Sequence, residues 1–391
     1  MNILFKKHIY KSIVVFEVLK LKVIQTPVRF YPFIGGVEKY VYYISKELVK
    51  YNDCDVKVIC ANEPKSIEYE VYNDISIQRL GYIGKLANTN VTPSLPKVLY
   101  CEDFDIIHTH VPTPWSSDWS NIISRIKNKP LVVTYHNDII GTGIANTIAN
   151  IYNSTTLKLL LNKADKIIIT QDDYINSPHL QNYRDKITTI PNGVDTGIFK
   201  PSNHRNSNQI FFLSVLDRFH KYKGLDYLLD ALVNVKEVIP DVKLVVGGKG
   251  ELLDFYKSKS AELGIEDNVE FKGFLTDEEV IKCYHESELF ILPSISSLQE
   301  GFGIVVLEAL SCETPVISTT IVGVSADVTK TDSGIIIPPK DTGMLEESII
   351  RILSDKNLIS MMGKNGRKLV KEKYEWKRIS EDIHSLYEEL L

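Results

Sequence analysis

Cysteine is scarce in this sequence and follows no pattern. The 391 residues hold five, Cys54, Cys60, Cys101, Cys283 and Cys312, never spaced as CxxC. An odd, scattered set argues against both a disulfide framework and a zinc knuckle. Reduced, structural thiols of a cytoplasmic protein are the expectation. Long apolar runs are missing as well: the best candidate is broken by Lys11, Glu17, Lys20 and Lys22, so nothing approaches the roughly 20 residues that span a bilayer. Charge of one sign is not in excess. With 45 Lys and Arg against 50 Asp and Glu, the net charge of −5 offers no overall attraction to a nucleic-acid backbone, which disfavours a general nucleic-acid binder. Repeats of 20–50 residues and low-complexity tracts are absent, against a solenoid or a linker-like chain.

What is there reads as globular, with 44% hydrophobic and 24% charged residues, in a chain long enough for two domains. Residues 1–20 stand apart. Lys6, Lys7 and Lys11 lie among Ile3, Leu4, Phe5, Ile9 and Ile13–Phe16 without a small-residue cleavage site, which argues against a secretory signal. Two readings stay open for this extension: it packs on the domain, or it meets a membrane surface.

Short apolar runs then alternate with helical spacing, the mark of βαβ units and parallel sheets buried on both faces. One set is Leu21–Gln25, Val56–Cys60, Ile106–Thr109, Leu131–Tyr135 and Lys166–Thr170. A second is Ile210–Val215, Lys243–Val246, Val269–Lys272, Leu289–Leu292, Pro315–Ser318 and Ile335–Ile337. Between them, 195–208 is rich in turn formers and reads as a linker. The expected organisation is an extension at 1–20, an acceptor-side domain at 21–195, a nucleotide-sugar domain at 196–373, and a C-terminal amphipathic helix at 374–391. In that helix Trp376, Ile379, Ile383, Leu386, Tyr387 and Leu390 form one stripe that needs a partner surface, expected on the first domain.

Three segments carry chemistry. Gly35-Gly36-Val37-Glu38 follows the first strand and opens a helical pattern; a glycine pair there lets amides approach phosphate, although a plain turn would read the same. Arg218 and Lys223, five residues apart after a strand, could grip a diphosphate from two sides; a solvated basic loop is the plainer reading. In Leu292-Pro-Ser-Ile-Ser-Ser-Leu-Gln-Glu300-Gly-Phe-Gly303-Ile-Val-Val-Leu-Glu308, two carboxylates flank a helix N-terminus. Carboxylates suit vicinal sugar hydroxyls and free amides suit anionic oxygen, so the segment fits a ligand that is part sugar and part phosphate; an acidic residue before a helix and a solvent-facing helix glutamate would read the same.

Glu300-Gly-Phe-Gly-Ile-Val-Val-Leu-Glu308-Ala, followed by Thr314-Pro-Val-Ile-Ser318, closely resembles the EX7E signature of the retaining GT-B glycosyltransferases of family 4. Gly35-Gly36-Val37-Glu38, His108-Thr-His110, Pro191-Asn-Gly-Val-Asp195, Gly247-Gly-Lys-Gly-Glu251 and Lys272-Gly-Phe274 fall in the family's order. The resemblance implies an α/β fold of GT-B architecture: two doubly wound, Rossmann-like parallel-sheet domains facing a central cleft. It implies retaining transfer of a hexose-type sugar from a nucleoside-diphosphate sugar to a glycan or lipid-linked acceptor. No cofactor or metal is implied, and the leaving phosphate would deprotonate the acceptor on the same face. By motif position Glu308 would hold the ribose and Glu300 the transferred sugar. Arg218 and Lys223 would clamp the diphosphate with amides at Phe302, Gly303 and Ile304. Gly35 and Gly36 would close over the phosphates, and Gly248, Gly273 and Phe274 would line the nucleotide. His110 would sit by the anomeric carbon and the acceptor. From the residues themselves, His136 and Asp138 in Thr134-Tyr-His-Asn-Asp138, at another strand end, are further acceptor-side candidates; His136 could meet the acceptor or the donor sugar, and a capped loop histidine reads the same.

The chain departs from the family where Val322-Gly-Val-Ser-Ala-Asp327 keeps one glycine and where Glu313 holds a usual glycine position. His108 is read as pointing to the face opposite His110, and Asp172-Asp173 as a helix start. Lys39, Lys46 and Lys50 beside Tyr40, Tyr42, Tyr43 and Tyr51 are compatible with an anionic surface, and so with an enzyme peripheral to the inner face of the membrane; a plain amphipathic helix with solvated lysines reads the same. A sugar-nucleotide 2-epimerase of the same fold, or a non-catalytic nucleotide-sugar-binding protein, are the alternatives.

Overall fold

The computed structural model describes residues 5–7, 16–18, 20–33, 35–86, 89–137, 144–202, 204–296 and 299–391. The chain divides into two compact units. The first is Met1–Ile190 with Ile379–Leu391, and the second is Pro191–Arg378.

The first unit is built on an eight-stranded sheet. Its strands are β1 (Leu21–Thr26), β2 (Cys54–Ala61), β3 (Tyr69–Tyr72), β4 (Ile75–Leu80), β5 (Ile106–Val111), β6 (Leu131–Tyr135), β7 (Lys166–Ile169) and β8 (Ile187–Thr189). They lie in the order β8-β7-β6-β5-β1-β2-β4-β3, parallel throughout except for β3 against β4. Central strands are apolar on both faces because helices cover both. Ile107, Leu131, Val133, Ile167 and Ile169 share one core with Leu157, Leu160 and Leu161 of the helical stretch that precedes β7.

The second unit carries six parallel strands: β9 (Gln209–Leu213), β10 (Lys243–Gly247), β11 (Val269–Gly273), β12 (Leu289–Leu292), β13 (Val316–Thr319) and β14 (Gly334–Ile337). Their order is β11-β10-β9-β12-β13-β14, the doubly wound nucleotide-binding order. The two-residue period of a strand divides β9 between two cores. Ile210 and Phe212 join Leu225, Leu228, Leu229 and Leu232 of the helix Leu225–Val238 on one side. Phe211 joins Val306, Leu307 and Leu310 of the helix Ile304–Ser311 on the other. In this order the chain leaves β9 toward one edge and returns to β12 toward the other, so the loops after β9 and β12 are neighbours.

Three features differ from the expectation. Strands β3, β4 and β8 were not anticipated. Gln78 and Arg79 interrupt the apolar pattern of β4, β3 is a four-residue edge strand, and β8 has only three residues. The stretch 195–208 is no free linker. Val194 N–H donates to Tyr374 O, Asp195 caps Gly197 and Ile198, and the Arg205 guanidinium donates to the carbonyls of Ser287, Cys312 and Glu313. These bonds pull the boundary back to 190/191. The last helix runs Trp376–Glu388 rather than from 374, and its residues from Ile379 on cluster with the first unit. Within the N-terminal extension, Phe5–Lys7 pairs antiparallel with Phe16–Val18; Met1–Leu4, His8–Val15 and Leu19 lie outside the described residues. The five cysteines are free thiols, four of them buried.

Candidate active site

Neighbouring loops at the point where strand order reverses are where open α/β sheets hold ligands. In the second unit these loops are joined by an ion pair. Lys223, in the short helical turn Lys221–Lys223 after β9, places Nζ 3.0 and 2.9 Å from the two oxygens of Glu300, in the loop after β12. Ser294 Oγ also donates to Glu300, and Ile295 N–H donates to Tyr222 O across the same seam. Glu300 is buried. A carboxylate offers about four lone-pair directions and these bonds occupy three, while an ammonium has three hydrogens and spends two here. Both groups therefore keep capacity for a ligand. Gly224 follows with φ +81°, and a Cβ there would lie 2.0 Å from Pro293 O, so only glycine lets the two loops approach.

Around this pair the expected residues spread out. Arg218 does not join Lys223: its side chain is 80% exposed and pairs with Glu251, in the loop after β10, at 3.2 Å. Gly248 has φ +126°, and a Cβ would meet Ser214 O at 1.7 Å. Gly273 ends β11, and its carbonyl accepts from Gly248 N–H. Phe274 is exposed, with the Lys249 ammonium 5.0 Å from its ring centre. Glu308 lies in the helix Ile304–Ser311, capped by Gly303, and accepts from Tyr284 Oη at 3.0 Å. Of the first amides of that helix, Val306 N–H donates to Gly303 O, while those at Ile304 and Val305 come before the first intrahelical acceptor. The Phe302 side chain is buried against Tyr374. Among the described residues no group of three or more His, Cys, Asp or Glu is arranged around one point as a metal site.

In the first unit the reversal falls between β1 and β5, and there the histidines gather. His110 is fully buried in β5, with Nε2 3.0 Å from Gln25 Oε1 and Nδ1 3.2 Å from His136 Nε2. His108 stacks on it at 4.8 Å between ring centres, so the two share one face. The reading that placed them on opposite faces is corrected, since residues i and i+2 of a strand point the same way. Burial holds both rings neutral, pulling His108 down to about 3 and His110 well below the ordinary histidine range. Tyr40, expected among surface tyrosines, is buried and packs its ring 4.8 Å from that of His136. Gly35 caps the helix Gly36–Tyr51, and the space a Gly36 Cβ would take is open. Asp138 lies outside the described residues.

Two family models divide the chain: Glycosyltransferase Family 4 matches residues 34–197, and Glycosyl transferases group 1 matches 195–369. The chain is 27% identical to O-antigen chain mannosyltransferase C of Escherichia coli, over 95% of this chain and 99% of that one. It is 25% identical to the phosphatidyl-myo-inositol mannosyltransferase of Mycobacterium leprae, over 90% and 93%. Among solved structures, HepE of Anabaena in complex with UDP superposes with a TM-score of 0.72 at 20% identity, covering 95% of this chain and all of that one; its UDP-glucose complex gives 0.70 at 19%, with the same coverage. The chain is a GT-B glycosyltransferase.

Several residues that shape the site of this glycosyltransferase escaped the sequence reading. Ser294 and Glu251 lie within motif segments and were legible as polar side chains at strand ends. Tyr284, Gln25 and Tyr387 were not, because each meets its partner across tens to hundreds of residues. The two departures from the family find physical roles in the glycosyltransferase. Asp327 accepts from Lys373 Nζ at 2.6 Å and from the Tyr374 hydroxyl. Glu313 adopts φ +61°, so the backbone keeps a conformation suited to the missing glycine. Asp172 opens a 3₁₀ turn, Asp172–Asn176, in place of a full helix.

Proposed function

We propose that the enzyme moves a hexose-type sugar from a nucleoside-diphosphate sugar to a glycan or lipid-linked acceptor, with retention at the anomeric carbon and without a metal. The observation that carries this reading is the Lys223–Glu300 pair at the β9/β12 reversal. A cation and a carboxylate fixed side by side suit a ligand with a phosphate next to a sugar. UDP and UDP-glucose in the HepE complexes support a donor of that class.

In this reading Glu300 and Glu308 form an EX7E pair. Glu300 accepts hydroxyl hydrogens of the transferred sugar, and Glu308, already held by Tyr284, accepts from the ribose. Lys223, Arg218 and the amides at Phe302, Gly303 and Ile304 meet the diphosphate, with Gly248, Gly273 and Phe274 along the nucleotide; Gly35 and Gly36 are the phosphate-binding candidates of the first unit. As the bond from the anomeric carbon to the phosphate oxygen breaks, negative charge grows on the diphosphate and these fixed donors bind it more tightly than in the ground state. The acceptor oxygen bonds to the anomeric carbon on the same face, and its proton passes to the departing phosphate oxygen. No protein carboxylate becomes a nucleophile.

A mass-spectrometric panel of UDP-, GDP- and ADP-sugars, with chelator present, tests the reading. Acceptor-dependent transfer, or slow hydrolysis releasing the diphosphate, is expected, with a product whose anomeric configuration by NMR matches the donor. An epimerised nucleotide sugar without acceptor, or activity lost to chelator, would count against it.

The acceptor side points toward a membrane. Ile67, Tyr69, Val71 and Ile83 are exposed on the first unit, as are Lys39 and Lys50 of the helix Gly36–Tyr51. Tyrosines, aliphatics and lysines together suit an anionic bilayer surface. No helix among the described residues is long and apolar enough to cross one. The relatives' names, with phosphatidyl-myo-inositol in one and O-antigen chain in the other, support a lipid-linked or surface-glycan acceptor. We accordingly assign the enzyme to the cytoplasmic face of the membrane. Sedimentation with anionic but not zwitterionic vesicles, weakened by salt, is expected; no binding at low salt would contradict it.

A further inference from the structure

Three histidines of the first unit belong to one hydrogen-bonded chain, and its far end is a tyrosine of the last helix. Tyr387 Oη lies 2.6 Å from His108 Nδ1 and 3.4 Å from Gln25 Nε2. His108 Nε2 lies 2.7 Å from Thr134 Oγ1. Gln25 turns its oxygen to His110, and His110 in turn meets His136. Every member except His136 is fully buried.

The contacts assign the ring protons. An amide oxygen only accepts, so His110 carries its proton on Nε2 and leaves Nδ1 bare. The facing His136 Nε2 must then be the donor, which leaves Nδ1 of His136 bare as well. On the other branch the Tyr387 hydroxyl donates to His108 Nδ1, and His108 Nε2–H donates to Thr134. The Gln25 amide is the pivot between the branches. Turned end for end, it would offer N–H to His110, move the His110 proton to Nδ1, and so put a proton on Nδ1 of His136. Tyr387 and His108 oppose that turn together, because the Gln25 amide nitrogen lies 3.4 Å from the Tyr387 oxygen and 3.3 Å from His108 Nδ1, which the Tyr387 hydrogen keeps bare.

We propose that Tyr387 is a positioning residue: acting through Gln25 it fixes the tautomers of His110 and His136, so that Nδ1 of the partly exposed His136 accepts a hydroxyl hydrogen of the bound sugar. His110 then orients, and His136 meets the substrate. The sugar rests on the function proposed above, whereas the tautomers do not.

Nitrogen-15 labelling of the histidine rings in the full-length protein reads the tautomers directly. Wild type is expected to show Nε2–H at His108, His110 and His136. Tyr387→Phe, which removes one oxygen atom, is expected to convert part of the His110 and His136 population to Nδ1–H. It should lower kcat about tenfold or more and leave KM for the nucleotide sugar unchanged. Should that variant not fold, Gln25→Met breaks the chain at its pivot with the same expected readout. Nδ1–H at His136 in wild type, or unchanged ring signals in Tyr387→Phe, would overturn the proposal. If the tautomers respond as stated but no nucleotide sugar is turned over by wild type, the positioning role stands and the glycosyl-transfer reading of the site falls.

Discussion

At the scale of single residues, two positions carry measurable consequences. Glu313 stands with φ +61°, where a side chain costs about 1–2 kcal/mol that glycine does not; glycine in turn gives up about 0.5–1 kcal/mol of unfolded-state entropy. Glu313→Gly should therefore stabilise the protein by up to about 1 kcal/mol in urea unfolding, and a loss of stability would show that the Glu313 side chain contributes more than its strain. Lys223 is different, because its partner Glu300 is buried. Lys223→Ala leaves that carboxylate with the Ser294 hydroxyl alone, which should cost about 3–5 kcal/mol. Adding Glu300→Gln should recover much of this, giving a strongly non-additive double-mutant cycle; additive losses would mean the pair is not coupled. Glu313 was legible from sequence as an oddity. The Lys223–Glu300 contact was not, because it spans 77 positions and depends on which strands become neighbours.

At the scale of elements, apolar runs bounded by turn residues located the strands of both large sheets apart from three. They failed at β3, β4 and β8, where an edge position, internal polar residues or shortness erases the pattern. Strand β5 teaches the converse: its position was readable, yet the shared face of His108 and His110 was misjudged although the period is two. That shared face makes β5 pH-sensitive. Both rings are buried and neutral, with pKa values lowered chiefly by desolvation, whereas the unfolded chain binds protons near pH 6.5. The unfolded state thus holds more protons below that value. The stabilisation is complete above pH 6.5 and declines as pH falls toward 3, by up to about 1.4 kcal/mol per pH unit for each ring. Urea midpoints at pH 7.5, 6 and 5 should fall together with pH, and His108→Gln should make the decline shallower; a flat profile would mean these rings are solvated in the folded state.

At the scale of the whole molecule, two doubly wound units were legible because their strand and helix alternation is so regular. Their boundaries were not, since hydrogen bonds to Tyr374, Ser287 and Cys312 draw a polar, linker-like stretch into the second unit. The last helix returns to the first unit, where Ile379, Ile383, Leu386 and Tyr387 are buried. Each such side chain contributes about 1.5–3 kcal/mol. A chain ended at Arg378 should lose hydrogen-exchange protection in β1 and β5 while β9 and β12 keep theirs; protection retained in β1 would show that the helix is dispensable.

The central claim is that the second unit binds a nucleoside diphosphate where β9 and β12 meet, and calorimetric titration of UDP, GDP and ADP tests it most directly. Wild type should bind at least one of them, and Lys223→Ala and Glu308→Ala, each confirmed as folded, should weaken that binding about tenfold or more, as loss of a hydrogen bond to a charged group does. Unchanged binding in both variants would contradict the assignment of the site.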